Sequence, residues 1–166
     1  MSAGGRKSAV CLGLALSGCG YTQLHESEES LQAASSELVQ HYTQRAQLLP
    51  PLIQALPPAL AQGPLASPIA RIRQIQTHPI PRPEQVPLPV ALTEEQAQVS
   101  AALDTLLAGL ADQPRPAALR DAEAQLEVVE QQLDAAEERY QSALAEHDEL
   151  LTSWPHRLIA RLLGRP

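Results

Sequence analysis

Leu31, Ala34, Leu38, Tyr42, Ala46, Leu49 and Ile53 recur at spacings of three and four, with Glu26, Glu28, Glu29, Glu37 and Arg45 among the other positions. That period predicts an amphipathic helix over residues 24–49. Pro50 and Pro51 follow it. A proline pair removes two amide donors and disfavours helix at the residue before it, so a stop or sharp kink is expected there.

The forty residues from Pro50 to Pro89 contain eleven prolines. Ile69 to Gln76 has room for a helical turn or two. Thr77 to Pro89, with Pro79, Pro81, Pro83, Pro87 and Pro89, predicts an extended, polyproline-like connector. Helix restarts at Thr93, whose hydroxyl and Gln96 form the Thr-x-x-Gln pattern of a capping box. Val99, Leu103, Leu106, Leu107 and Leu110 give that helix its apolar face. Residues 112–116 form a turn, and Pro116 suits the first turn of the next helix.

The last helix has the most regular pattern. Leu119, Leu126, Leu133, Tyr140 and His147 fall at heptad position a, with Ala122, Val129, Ala136, Ala143 and Leu150 at d. Nine apolar or aromatic residues in ten seam positions predict a long helix packed against partners. Glu123, Glu130 and Glu137 share position e and predict an anionic, solvated flank. Beyond it, Trp154, Leu158, Ile159, Leu162 and Leu163 alternate with Arg157, Arg161 and Arg165 as a basic amphipathic tail, suited to covering the helix ends or lying on a membrane surface.

The amino terminus follows a different rule. Arg6 and Lys7 precede a short apolar run, Ala9 to Leu16, which ends in Leu16-Ser17-Gly18-Cys19. The run is far below the roughly 20 residues that span a bilayer, so it predicts a cleaved signal peptide over residues 1–18. The tetrapeptide resembles a bacterial lipobox, with Leu16, Ser17 and Gly18 as the signal-peptidase recognition residues and Cys19 as the lipidated one. That resemblance implies a covalent diacylglycerol and acyl chain on Cys19. Two or more chains hold a protein stably at a membrane where one holds it marginally. Gly20, a residue other than Asp after the cysteine, points to the outer membrane in a Gram-negative cell.

Composition narrows the chemistry. The chain has no Phe, one Trp, three Tyr and fifteen Pro, so its core rests on Leu, Ala, Val and Ile. Removing residues 1–18 takes away Arg6 and Lys7 and no acid, moving the formal charge from −7 to −9. An acidic chain without a basic stripe is a poor partner for nucleic acid. Cys11 and Cys19 are the two cysteines, so the chain after processing has no internal disulfide. His25, His41, His78, His147 and His156 include no i, i+4 pair, and no metal site is expected. His147 is the polar residue in the seam, read as a hydrogen-bonded or end-of-helix histidine rather than a pH switch. Glu26, Glu28 and Glu29 beside His25 read as a solvated face. No nucleophile elbow, phosphate loop or dinucleotide fingerprint occurs, so neither catalytic residues nor a small-molecule substrate are expected.

Several stretches resemble a known family. Tyr21-Thr-Gln-Leu, Glu37-Leu-Val and Tyr42-Thr-Gln-Arg45-Ala-Gln-Leu-Leu49-Pro50-Pro-Leu-Ile53 are similar to the opening helix of the LemA family. Its pattern runs Tyr-Asn-x-Leu, a Trp, then Gln-Tyr-x-Arg-Arg-x-Asp-Leu-Ile-Pro-Asn-Leu-Val. Leu126-Glu-Val-Val-Glu130, Ala135-Ala-Glu-Glu-Arg139-Tyr140 and Trp154-Pro155-His-Arg-Leu158-Ile159-Ala160 resemble its carboxy-terminal half. The likeness covers residues 20–56 and 117–164. The chain departs from the pattern at the proline tract, at Ser35 or Ser36 where the family has Trp, and at Pro51, Gln141 and Arg157 where it has Asn.

The resemblance implies an all-α fold, an antiparallel bundle of about three long helices tethered to the envelope. The expected order is a signal peptide (1–18), the lipid anchor and first helix (19–56), a proline-rich connector (57–92), the second and third helices (93–153) and the basic tail (154–166). The function expected is a non-enzymatic, envelope-located scaffold or binding module, without cofactor, held to the membrane by its lipid and facing the periplasm beside a protein partner. The other reading is a periplasmic helical-hairpin adaptor of an export or efflux assembly.

Overall fold

The computed structural model describes residues 7–80, 82, 85–111, 113 and 115–153, with side chains from Thr22 onward. It is all-α. Five helices follow one another: α1 (Lys7–Ala55), α2 (Pro58–Ala61), α3 (Ala66–Gln76), α4 (Val90–Gly109) and α5 (Ala117–Thr152). The basic tail from Trp154 lies outside the described residues. Tertiary contacts divide the chain into two compact units, Met1–Ala34 with Arg139–Pro166, and Ser35–Glu138.

In the first unit Leu24 and Leu31 of α1 and Tyr140 and Ala143 of α5 are buried. Among them lies the polar seam residue His147, whose Nδ1 is 3.2 Å from Ser27 Oγ. Ser27 Oγ donates to the Leu24 carbonyl at 2.9 Å. With its one proton committed there, the hydroxyl accepts from an Nδ1–H of His147.

The second unit holds a continuous apolar core. Leu49, Leu52, Ile53 and Leu56 from α1 meet Ile69, Ile72 and Ile75 from α3, Val99, Leu103 and Leu106 from α4, and Leu119 and Leu126 from α5. The heptad reading of α5 holds in both units, with Leu119, Leu126, Leu133 and Tyr140 all buried.

Three expectations about element boundaries fail. First, α1 does not stop or break at Pro50 and Pro51, which both lie inside it. Pro50 cannot supply the N–H that the Ala46 carbonyl would accept. Gln76, the last residue of α3, supplies it instead, its Nε2 donating to that carbonyl at 2.9 Å. Burial of Leu49, Leu52 and Ile53 on either side of the prolines then favours continuing the helix.

Second, the stretch expected as a connector contributes core. The turn or two expected at Ile69–Gln76 is an eleven-residue helix with three buried isoleucines. Pro68 sits in its first turn, where a missing N–H costs nothing. Thr77 Oγ1 closes its last turn on the Gln74 carbonyl at 2.6 Å. Gly109 ends α4 where a Cβ would meet Leu65 Cδ2 at 2.6 Å, so its small size admits the buried Leu65 just ahead of α3.

Third, α4 begins at Val90, not Thr93, with Pro89 in the capping position. Proline fixes φ for helix entry and Leu92 N–H bonds the Pro89 carbonyl at 2.9 Å. Thr93 is then inside the first turn, its hydroxyl donating back to the Val90 carbonyl at 2.8 Å. The capping box does not form, and Gln96 is free for another use.

Candidate functional site

Arg45 is the centre of the richest polar cluster. It stands three residues after Tyr42 and four before Leu49, within the apolar stripe of α1, and is 1% exposed. The sequence reading placed it on the polar side, and the structure overturns that. A guanidinium out of water needs charge-assisted hydrogen bonds to offset its lost hydration. Its Nη1 donates to Ser100 Oγ at 2.8 Å and faces Glu130 Oε2 at 3.4 Å. Its Nη2 donates to the Gln96 carbonyl at 3.3 Å and to Gln96 Oε1. The cation also lies over the Tyr42 ring, 5.6 Å from its centroid, in cation–π range.

The supporting bonds have consistent direction. Ser100 Oγ donates to the Gln96 carbonyl at 3.3 Å while accepting from Arg45. Tyr42 OH donates to Glu137 Oε1 at 2.9 Å. One buried arginine of α1 thus joins α4 through Gln96 and Ser100 and α5 through Glu130.

The heptad e flank of α5 is therefore not the solvated face its pattern suggested. Glu123, Glu130 and Glu137 are each half-buried. Arg115 Nη1 donates to Glu123 Oε2 at 3.1 Å, Arg45 faces Glu130, and Tyr42 bonds Glu137. Glu123 Oε1 and Glu130 Oε1 are buried without a hydrogen-bond partner. Burial pushes the Glu130 carboxyl above its ordinary range; Arg45 pulls it back, and Asp134 and Asp104 push it further up.

A cleft of about 720 Å³ opens between α4 and α5 beside these carboxylates, its charged lining made of Asp104, Glu123, Glu127, Glu130 and Asp134 together with Arg115 and Arg120. A much smaller cavity, about 50 Å³, borders Arg45 and Tyr42 on the side of His78 and Ile80. His78 Nδ1 lies 2.9 Å from Glu95 Oε1 at its edge. A second groove of about 490 Å³ runs along α1 and α5 and is apolar with a glutamine lining.

Leu16, Ser17, Gly18 and Cys19, the recognition and lipidation residues expected from the sequence, fall within the span of α1 but outside the residues whose side chains are described. Of the histidines, His25 Nε2 lies 3.4 Å from Glu29 Oε1 on an exposed face. His41 lies between Glu37 at 3.9 Å and Gln44 at 3.1 Å. Among the described residues no group of three or more His, Cys, Asp or Glu is placed to hold a metal ion, and no helix is long and apolar enough to cross a membrane. Searches against protein-family models, curated proteins and solved structures return no match to this chain.

Proposed function

We propose that the chain is a lipid-anchored cell-envelope protein of the LemA-like type, a non-enzymatic helical scaffold or binding module. Diacylglycerol and an acyl chain on Cys19 hold it at the membrane, the outer one in a Gram-negative cell, with its helices packed as an antiparallel bundle on the periplasmic side. The observation that carries the scaffold reading is how Arg45 is used. The most deeply buried charge among the described residues is spent on Ser100, Gln96 and Glu130 of the chain's own helices, as an internal tie between elements rather than a group presented to a substrate. The anchor rests on the sequence: Arg6 and Lys7, the short apolar run, and Leu16-Ser17-Gly18-Cys19 in register.

Growth with a radiolabelled fatty acid, comparing the natural chain with Cys19→Ala, tests the anchor. Label confined to the natural chain is the expected result, and equal label in both overturns it. Crosslinking in intact cells tests the scaffold. Envelope neighbours of mixed kind are expected, and a single transport complex as the sole neighbour would replace the scaffold with the adaptor.

A further inference from the structure

The cleft of about 720 Å³ between α4 and α5 lies entirely within the Ser35–Glu138 unit and holds five carboxylates against two arginines. Two of the five are met: Arg115 bonds Glu123, and Arg45 faces Glu130. Asp104, Glu127 and Asp134 are exposed and enter no ion pair with the described residues. Arg115 and Arg120 stand toward the start of α5, and the uncompensated carboxylates stand further along it or, for Asp104, on α4. Asp104 and Asp134 are close enough to Glu130 to push its carboxyl up. Glu123 Oε1 and Glu130 Oε1 lack hydrogen-bond partners in the same wall, and Leu103, Leu107 and Leu126 give the cleft an apolar lining beside them.

Among the described residues no three of these carboxylates are grouped to hold a metal ion. They are strung out instead, with Glu127, Glu130 and Asp134 on one face of α5 over about 10 Å. A complementary occupant carries several cations at intervals, with apolar groups between them. Beyond Ser153 the sequence supplies such a segment, with Arg157, Arg161 and Arg165, Leu158, Ile159, Leu162 and Leu163, and no Asp or Glu. Its arginines recur at every fourth position, the spacing of one helical face, over about 12 Å.

We propose that residues 154–166 of one copy of the chain dock in the α4–α5 cleft of a second copy, with Arg157, Arg161 and Arg165 against Asp104, Glu127 and Asp134. Leu158, Ile159, Leu162 and Leu163 then meet the leucine lining. Charge and spacing select this segment, since a guanidinium fork bonds a carboxylate through two parallel N–H groups. The length of α5 makes the donor a second copy. The helix runs on about 27 Å beyond Asp134 before it ends at Thr152. A segment that keeps its arginines on one helical face carries Arg165 only about 20 Å from there, too little to return. Exchange in both directions closes a pair about a two-fold axis. The inference does not rest on the anchor, since both partners lie well beyond Cys19.

Sedimentation equilibrium of the full chain in density-matched detergent, loaded from about 1 µM to 1 mM across the weak range of small interfaces, tests it. The expected result is a shift from the 17.9 kDa mass to twice that value with rising concentration. A tail variant (Arg157→Glu, Arg161→Glu and Arg165→Glu) and a cleft variant (Glu127→Lys and Asp134→Lys) should each associate at least about tenfold more weakly. All five positions lie outside the buried core, so the helical circular-dichroism signal should be unchanged. An equal mixture of the two variants should regain the double mass, because each tail then meets a cleft of opposite charge on the other chain. A natural chain that stays at the single mass overturns the proposal and leaves the tail to a membrane surface. So does either variant associating as the natural chain does, or a mixture that associates no better than its components.

Discussion

Gln76 Nε2 donates at 2.9 Å to the Ala46 carbonyl, the acceptor that Pro50 leaves without its helical N–H. One side chain at the end of α3 thereby lets α1 run through a proline pair. Gln76→Ala should cost about 1 kcal/mol of unfolding free energy, the typical net worth of such a bond to a partly sheltered group. Pro50→Ala supplies the missing N–H, so in that background Gln76→Ala should cost almost nothing. A urea-unfolding double-mutant cycle measures the coupling. Equal losses in both backgrounds would show that Gln76 does not stand in for the absent amide.

Arg45 should be the most sensitive polar position. Arg45→Ala leaves Glu130 half-buried without its cation and Gln96 Oε1 without its donor. Removing one partner of a buried ion pair costs about 3–5 kcal/mol. Arg45→Lys keeps the charge but has one nitrogen for acceptors that the guanidinium meets with two, so most of the loss should remain. Urea midpoints of the two variants check this; full recovery by lysine would reduce the cluster to a point charge.

How far these features could be read in advance differs by kind. The heptad of α5 was legible because Leu119, Leu126, Leu133 and Tyr140 repeat without interruption, and periodicity is a local property of the chain. The continuation of α1 was not, because the group that replaces the amide of Pro50 is Gln76, 26 positions away. α3 was half legible: Ile69, Ile72 and Ile75 have helical spacing, but the surrounding prolines outweighed three residues until packing was known. Arg45 could have been placed correctly, since its distances from Tyr42 and Leu49 put it in the apolar stripe. Its charge argued the other way, and only the convergence of Gln96, Ser100 and Glu130 shows how the charge is met. The e flank misled for the same reason, as Glu123, Glu130 and Glu137 read as solvated until Arg115, Arg45 and Tyr42 were found against them.

Glu130 should make stability fall as pH rises. Its folded carboxyl is held above the ordinary value of about 4.3, chiefly by burial. The folded chain therefore binds this proton more tightly than the unfolded chain does. The contribution is fully present below about pH 4.3 and is lost as pH rises through the raised folded value. Glu130→Gln keeps an oxygen acceptor for Arg45 and never ionises. Its stability relative to the natural chain should increase with pH above about 4.3 and then level off. Urea midpoints of both proteins in parallel buffers give that difference; a difference independent of pH would remove the effect.

Ser35 and Ser27 lie on the same helix and should respond oppositely to loss of the hydroxyl. Ser35 is 0% exposed and its Oγ has no hydrogen-bond partner. A buried hydroxyl without a partner is a cost, and alanine is the better helix former, so Ser35→Ala should raise stability by about 1 kcal/mol. Ser27 Oγ engages both the Leu24 carbonyl and His147 Nδ1. Ser27→Ala takes the acceptor from His147 and should lower stability by about 1 kcal/mol despite the same gain in helix propensity. Thermal melts of the two variants give the signs directly. A loss at Ser35 would mean that its hydroxyl has found a partner in the folded chain, and buried water would then be the group to look for.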